Sequence, residues 1–324
     1  MDINVKPSYD VPMWSETRFI GAYNPQQGVG LFLHVGRLRN HLDWWWAQTI
    51  IYLPDGRIAV DRSWARNPDD NLVQTANLML RPEQGGWSAR FDGIVELTDT
   101  AALGRAPRGS AAPSLPAKFE LIAEGTRPWW DMLAGATTPQ SFGDMHVEQA
   151  GHCHGALQVG SEAYRLDGIS CYDHSSGVRD WTGFHSHHFL IIVMPDYTMH
   201  AGQVYTSPTE ERRGGGVWFT SEGEMLRITR SEMPRQIDVF GAPQQFDWRM
   251  KLAGKGEMTF RIEVLHSFPA TITFDNDNIN GCDWDAAGDP MFLTECPVRV
   301  TAPDGTVGYG HIERSNRRSC LVKP

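Results

Sequence analysis

The sequence predicts an all-β fold of antiparallel strands arranged as barrels or sandwiches. Three observations carry this reading. Short apolar runs recur along the 324 residues, 32 Gly and 20 Pro supply the turns between them, and no segment sustains a long apolar period of 3.6 residues. The length suits two domains of ordinary size better than one core.

Taken in order, residues 29–35 and 44–53 read as strands, and Pro54-Asp55-Gly56-Arg57 turns the second back into residues 58–60. Residues 87–97 alternate apolar with polar, and 119–123 make a further strand. Between them, residues 101–116 are rich in Ala, Pro, Gly and Ser and are expected to form a surface loop, an ordinary insertion more readily than a mobile segment or lid. The small, polar stretch 134–143 opens a zone in which the domain boundary falls, giving an expected division into residues 1–160 and 161–324. The second half is more regular. A turn at 159–162 precedes a strand at 163–171. Residues 189–194 and 199–206 flank Pro195-Asp196-Tyr197, 217–220 and 225–230 flank a Ser-Glu-Gly-Glu turn, and 246–252 pairs with 258–265. Pro303-Asp304-Gly305 joins 297–301 to 307–313. Tight turns between successive strands impose antiparallel neighbours.

The formal charge of -10, with no run of Lys or Arg, argues against nucleic acid and anionic membrane surfaces as partners. Residues 1–5 lack the basic start and apolar stretch of a secretion signal, and the longest wholly apolar run spans only 189–194, so a soluble, cytoplasmic protein without membrane insertion is expected. Five cysteines at irregular spacing, Cys153, Cys171, Cys282, Cys296 and Cys320, fit reduced thiols better than a disulfide framework.

Residues 146–188 hold seven of the twelve histidines: His146, His152, His154, His174, His185, His187 and His188. At the centre stands Cys171-Tyr172-Asp173-His174-Ser175-Ser176-Gly177-Val178-Arg179-Asp180-Trp181. Such side chains are costly to bury without partners, so this stretch is the expected active site. The run Gly168 to Gly177, GISCYDHSSG, resembles the G-x-G-Y-x-D-H-x-W-G signature of the carotenoid 1,2-hydratase superfamily, and GYGHIE at 308–313 resembles its closing glycine-rich strand. His146-x-Glu148-Gln149 and Arg179-Asp180-Trp181 resemble flanking motifs of uncharacterised bacterial members. The resemblance implies two lipocalin-like (calycin) β-barrels packed together and a cofactor-independent lyase or isomerase acting on a small hydrophobic substrate. It aligns the hydratase aspartate with Asp173 and the histidine with His174. The signature's tryptophan falls on Ser176, and a glycine spacing is altered, so fold carries over better than substrate or reaction.

In this reading protonated Asp173 delivers a proton, His174 handles water or the returning proton, and Tyr172 orients the substrate. Adjacent residues on a strand face opposite ways, so Asp173 and His174 can meet one substrate only if the backbone bulges between them. Trp181, Trp44, Trp46, His146 and Glu148 are the candidate substrate-binding residues, the tryptophans through their ring faces; in a strand Trp44 and Trp46 share one face and Trp45 takes the other. Asp173, His174 and Arg179 also suit a buried ion-pair network with no catalytic role. No cofactor is expected. The rival is a metal enzyme, an oxygenase or hydrolase, whose ligands are His152, His154, His185 and His187, two pairs at the i,i+2 spacing of metal-binding strands. A third reading is a non-catalytic carrier, since twelve tryptophans suit a lipophilic pocket. Cys171 and Cys153 lack activating motifs, and Gly214-Gly215-Gly216 precedes a strand and lacks the ending of a phosphate loop. The expected partner is a small hydrophobic molecule, with a homodimer left open.

Overall fold

Alternating burial builds this molecule. In Ser114–Gly125, Ala117, Phe119, Leu121 and Ala123 turn inward while Lys118, Glu120, Ile122 and Glu124 face out, the period of two that a half-buried strand requires. The computed structural model describes residues 11–38, 40–69, 72–107, 112–134, 143–183, 185–209, 214–273 and 276–324. The N-terminal stretch 1–5 and most of 134–143 lie outside the described residues.

Eight strands form the first barrel: β1 (Trp14–Asn24), β2 (Val29–Leu38), β3 (Trp44–Tyr52), β4 (Arg57–Arg66), β5 (Gly86–Asp99), β6 (Ser114–Gly125), β7 (Met145–Val159) and β8 (Gly168–Val178). Each pairs antiparallel with the next, and β8 returns to β1, so the ring closes. Leu33, Val35, Trp45, Phe91, Phe119 and Leu157 fill its interior. The second barrel repeats the plan with β9 (Ser186–Val193), β10 (Tyr197–Tyr205), β11 (Gly214–Thr220), β12 (Met225–Glu232), β13 (Gln245–Leu252), β14 (Gly256–Val264), β15 (Met291–Thr301) and β16 (Val307–Arg317). Pairing of β14 with β15 and of β16 with β9 closes it around Ile192, Trp248, Phe260 and Val298. Closure leaves neither ring with a free edge among these strands. The all-β, two-barrel expectation is met.

The expected boundary at 160/161 is not. The chain divides into residues 1–99 with 111–180 and residues 100–110 with 181–324. The reason is β8: its backbone completes the first ring between β1 and β7, so the cut must follow it. Residues 101–116 also depart from a plain loop. A short helix α1 (Thr100–Arg105) groups with the second unit, where the carbonyl of Leu103 accepts from the Cys282 amide at 2.8 Å. Residues 108–111 lie outside the described residues, and β6 begins at Ser114. The expected strand at 163–171 is two pieces, Glu162–Arg165 and β8. The triple glycine belongs to β11, because a Cβ at Gly216 would stand 1.9 Å from the His200 carbonyl oxygen. No helix among the described residues is long and apolar enough to cross a membrane. All five cysteines are free thiols.

Candidate functional site

The central strand β8 runs from Gly168 to Val178 in unbroken register with β1 and β7. No bulge separates Asp173 from His174, so the two face opposite sides of the barrel wall. This corrects the expectation that they serve one substrate together. Tyr172, on the same side as His174, goes inward with it.

On the outer side, Asp173 lies opposite Glu148 of β7, and His146 is two residues before Glu148 on the same face. The His146 Nε2 atom is 2.6 Å from Asp173 Oδ2 and 3.1 Å from Glu148 Oε1. His146 and Glu148 are buried, and the Asp173 side chain is 20% exposed. Burial works against the charged imidazole, but Asp173 and Glu148 outweigh it and lift His146 from 6.5 to about 10. Burial likewise works to raise Asp173, yet His146, with Arg179 and His34 behind it, holds the carboxyl below its ordinary range. A protonated Asp173 is thus not what this environment favours, and the proton of the cluster rests on His146. The other Asp173 oxygen accepts from Ser175 Oγ at 3.3 Å, and Arg179 donates to that hydroxyl.

Aromatic rings continue the same face. Phe19 sits opposite Asp173 and His34 opposite Phe19; the Phe19 and Phe32 rings lie 5.2 Å apart, and His34 meets Trp46 edge-on at 5.1 Å. Trp46 and Trp44 share this side as the alternation predicts, but Trp46 is wholly buried and Trp44 is 41% exposed at the strand end. Trp181 groups with the second unit, where its ring stacks at 5.9 Å on His187.

On the inner side, His174 Nε2 bonds Glu16 Oε1 at 2.9 Å, Arg18 donates to that oxygen at 3.2 Å, and Arg37 Nε donates to Oε2 at 2.8 Å. Both guanidinium groups lie over the Trp45 ring. Burial raises Glu16, but His174, Arg18 and Arg37 overcome it and bring the carboxyl to about 2. Burial and Arg18 hold His174 below its ordinary value despite Glu16, so the ring is neutral. Tyr172 stacks on Trp87 at 5.1 Å and meets Trp129 edge-on, and burial pushes its phenol up. These inner groups satisfy one another and tie β1, β2 and β8 together. Nothing in the sequence spacing of Glu16, Arg18 and Arg37 announces this network.

The expected metal ligands do not assemble. His152 and His154 are exposed on the outer face of β7. His185 Nε2 is 3.5 Å from Cys320 Sγ, and His187 is bonded to Glu313 and, through Nδ1 at 2.7 Å, to Ser315 Oγ. Among the described residues the group that could hold an ion is instead His146, Glu148 and Asp173, whose ligand atoms all lie within 4.8 Å of one another. In the second unit His311 Nε2 is 2.7 Å from Glu295 Oε2. The His-x-Glu spacing of 146 and 148 recurs in the sequence at 311 and 313, but here the histidine pairs with Glu295 and the glutamate with His187. Cys153 is buried, and its thiol is pushed up to about 12 by that burial, which removes it as a nucleophile.

Residues 2–318 match the family described as Domain of unknown function (DUF7064). No curated protein matches the sequence. Several solved structures share the fold. A candidate AttH from Nitrosomonas europaea has a TM-score of 0.62 at 13% identity, covering 94% of this chain and 92% of that one. CghA with Sch210972 has a TM-score of 0.59 at 10% identity, covering 94% and 89%. Kievitone hydratase from Nectria haematococca has a TM-score of 0.52 at 12% identity, covering 93% and 88%. These structures share the two-barrel fold with this chain.

Proposed function

We propose that this chain, which belongs to the DUF7064 family, is a cofactor-independent lyase or isomerase: a hydratase, dehydratase or double-bond isomerase acting by acid/base catalysis on a small hydrophobic substrate. Terpenoid, steroid, polyketide and aromatic compounds are the substrate classes. The observation that carries the reading is the buried His146 imidazole between the carboxylates of Asp173 and Glu148, at 2.6 and 3.1 Å. The hydration chemistry in the name of kievitone hydratase, a protein of the same fold, supports it. The resemblance of the motifs around His146 and Arg179 to those of uncharacterised bacterial members of the carotenoid 1,2-hydratase superfamily supports grouping the chain with them. A cytoplasmic setting and a homodimer belong to the same proposal.

In hydration, the His146 imidazolium gives a proton to one alkene carbon, and the Asp173 carboxylate takes a proton from the water that attacks the other. Dehydration runs the two transfers backwards. In a double-bond shift, Asp173 removes an allylic proton and His146 returns one at the far carbon. Glu148 keeps the imidazole charged and oriented, and Phe19, Phe32 and Trp46 supply an apolar, aromatic surround that favours a developing cation. The test is turnover of a panel of hydrophobic alkenes and tertiary or allylic alcohols by the full chain and by His146→Gln. Turnover abolished in the variant supports the reading; equal turnover in the folded variant removes His146 from the chemistry, and no reaction with any member of the panel turns the reading towards a carrier.

A further inference from the structure

The inner wall of the second barrel carries a buried guanidinium, Arg314, that makes no ion pair among the described residues. His188 on β9 lies opposite Gln203 of β10 and Arg314 of β16, and all three are buried. Arg314 is 0% exposed, and its guanidinium donates to the carbonyl oxygens of Pro243, at 3.2 Å, and Gly241. Both acceptors are neutral. Among the described residues, Arg314 Nε is buried without a hydrogen-bond partner, and the His188 ring, also buried, has the neutral Gln203 side chain for a neighbour. Arg235 adds a second guanidinium 3.9 Å above the Tyr205 ring, and Tyr205 packs edge-on against His188 at 5.7 Å.

A guanidinium removed from water without a contacting counter-ion is costly, and a buried imidazole adds its own desolvation. Two residues close by do not form an ion pair with it. Asp238 acts on Arg314 through its field without contacting it, and its Oδ1 accepts from the amides of Phe240 and Ala242 at 2.9 and 3.0 Å. Cys296 also neighbours Arg314, yet burial raises its thiol, so it stays neutral. Gly241 shows how closely the segment after β12 lies over the cluster: its φ is +89°, and a Cβ there would meet Ser267 Oγ at 2.6 Å and the guanidinium at 3.4 Å. His188 is held neutral by burial and by the charges of Arg314 and Arg235, and so has one N–H to donate.

We propose that the interior of the second barrel is an anion site, in which Arg314 Nε and the His188 ring hold one compact monovalent anion, a carboxylate or a halide. The site is separate from the His146 cluster and does not depend on the catalytic reading. The full chain is exchanged into a buffer whose only anion is the bulky HEPES, then titrated at constant ionic strength with sodium bromide or sodium acetate while the thermal midpoint is followed. A saturable rise in either arm is expected, bromide marking a halide site and acetate a carboxylate site. His188→Phe, which keeps the ring but not its nitrogens, should weaken the half-saturation by about tenfold, the loss of one hydrogen bond to a charged group. If that variant does not fold, His188→Gln, which retains one N–H donor, is expected to bind with reduced affinity. Crystals soaked in bromide should show anomalous density beside Arg314 Nε. No saturable rise in either arm, an unchanged response in the folded variants, or water alone at that position would each overturn the proposal.

Discussion

Asp173 and His174 are consecutive residues on one unbroken strand, and they belong to different networks. Asp173 Oδ2 lies 2.6 Å from His146 on the outer side of the first barrel, while His174 bonds Glu16 at 2.9 Å on the inner side. The pleat alone separates them. In the proposed function their roles separate in the same way, one towards chemistry and the other towards the integrity of the wall.

Substitution should show that division. Asp173→Asn is expected to lower turnover by about 10²- to 10⁴-fold, the usual worth of a positioned acid or base, with the fold kept. His174→Gln should lower unfolding free energy by about 2 kcal/mol, since it weakens a buried bond to a charged group, and leave turnover per folded molecule unchanged. Urea melts beside activity assays decide it; the reverse pattern would return the site to the inner face.

Glu16 makes the protein sensitive to acid. Its folded value of about 2 lies below the ordinary 4.5, so its contribution is complete above 4.5 and is lost as pH falls through 2. That contribution is about 3 kcal/mol. Stability measured at pH 6 and pH 3 should therefore differ by more in the wild type than in Glu16→Gln, which is already destabilised at pH 6 by leaving Arg18 and Arg37 without their carboxylate.

His146 acts at the other end of the scale. Raised from 6.5 to about 10, it contributes stability that is fully present below 6.5 and is lost as pH rises through 10. Turnover should fall along the same alkaline limb as the imidazolium loses its proton. In Glu148→Gln, with one carboxylate neutralised, the limb should move to lower pH. A limb that stays in place in this variant would show that His146 is not the acid.

Chelation separates proton transfer from metal chemistry at the same three side chains. Treatment with EDTA is expected to leave turnover unchanged. Stoichiometric metal in the purified protein, with activity lost on its removal and restored by its return, would recast His146, Glu148 and Asp173 as ligands.

Local chemistry made much of the fold legible. The hairpins at Pro54-Asp55-Gly56, Ser221-Glu222-Gly223 and Pro303-Asp304-Gly305 have turn residues whose backbone preferences do not depend on the rest of the chain, and the strands flanking each are present. Strand β7 was not legible. Its outward positions hold His146, Glu148, His152 and His154 where an apolar period would have been sought, and helix α1 is too short to show a period at all. The strand 163–171 was misread because Asp167-Gly168 interrupts it, and the domain boundary with it, since only ring closure assigns β8 to the first barrel.

The residues of the candidate site were named in the sequence, but their grouping was not. By itself the chain determined the all-β class, the antiparallel order and the concentration of acids and histidines between residues 146 and 188, because each rests on local pattern or composition. Only the tertiary structure decided that His146 and Glu148 join Asp173, that His174 turns to Glu16, 158 residues away, and that Arg314 is buried beside His188. Those pairings follow from register and barrel closure, which bring distant strands side by side and have no signature in the spacing of residues along the chain.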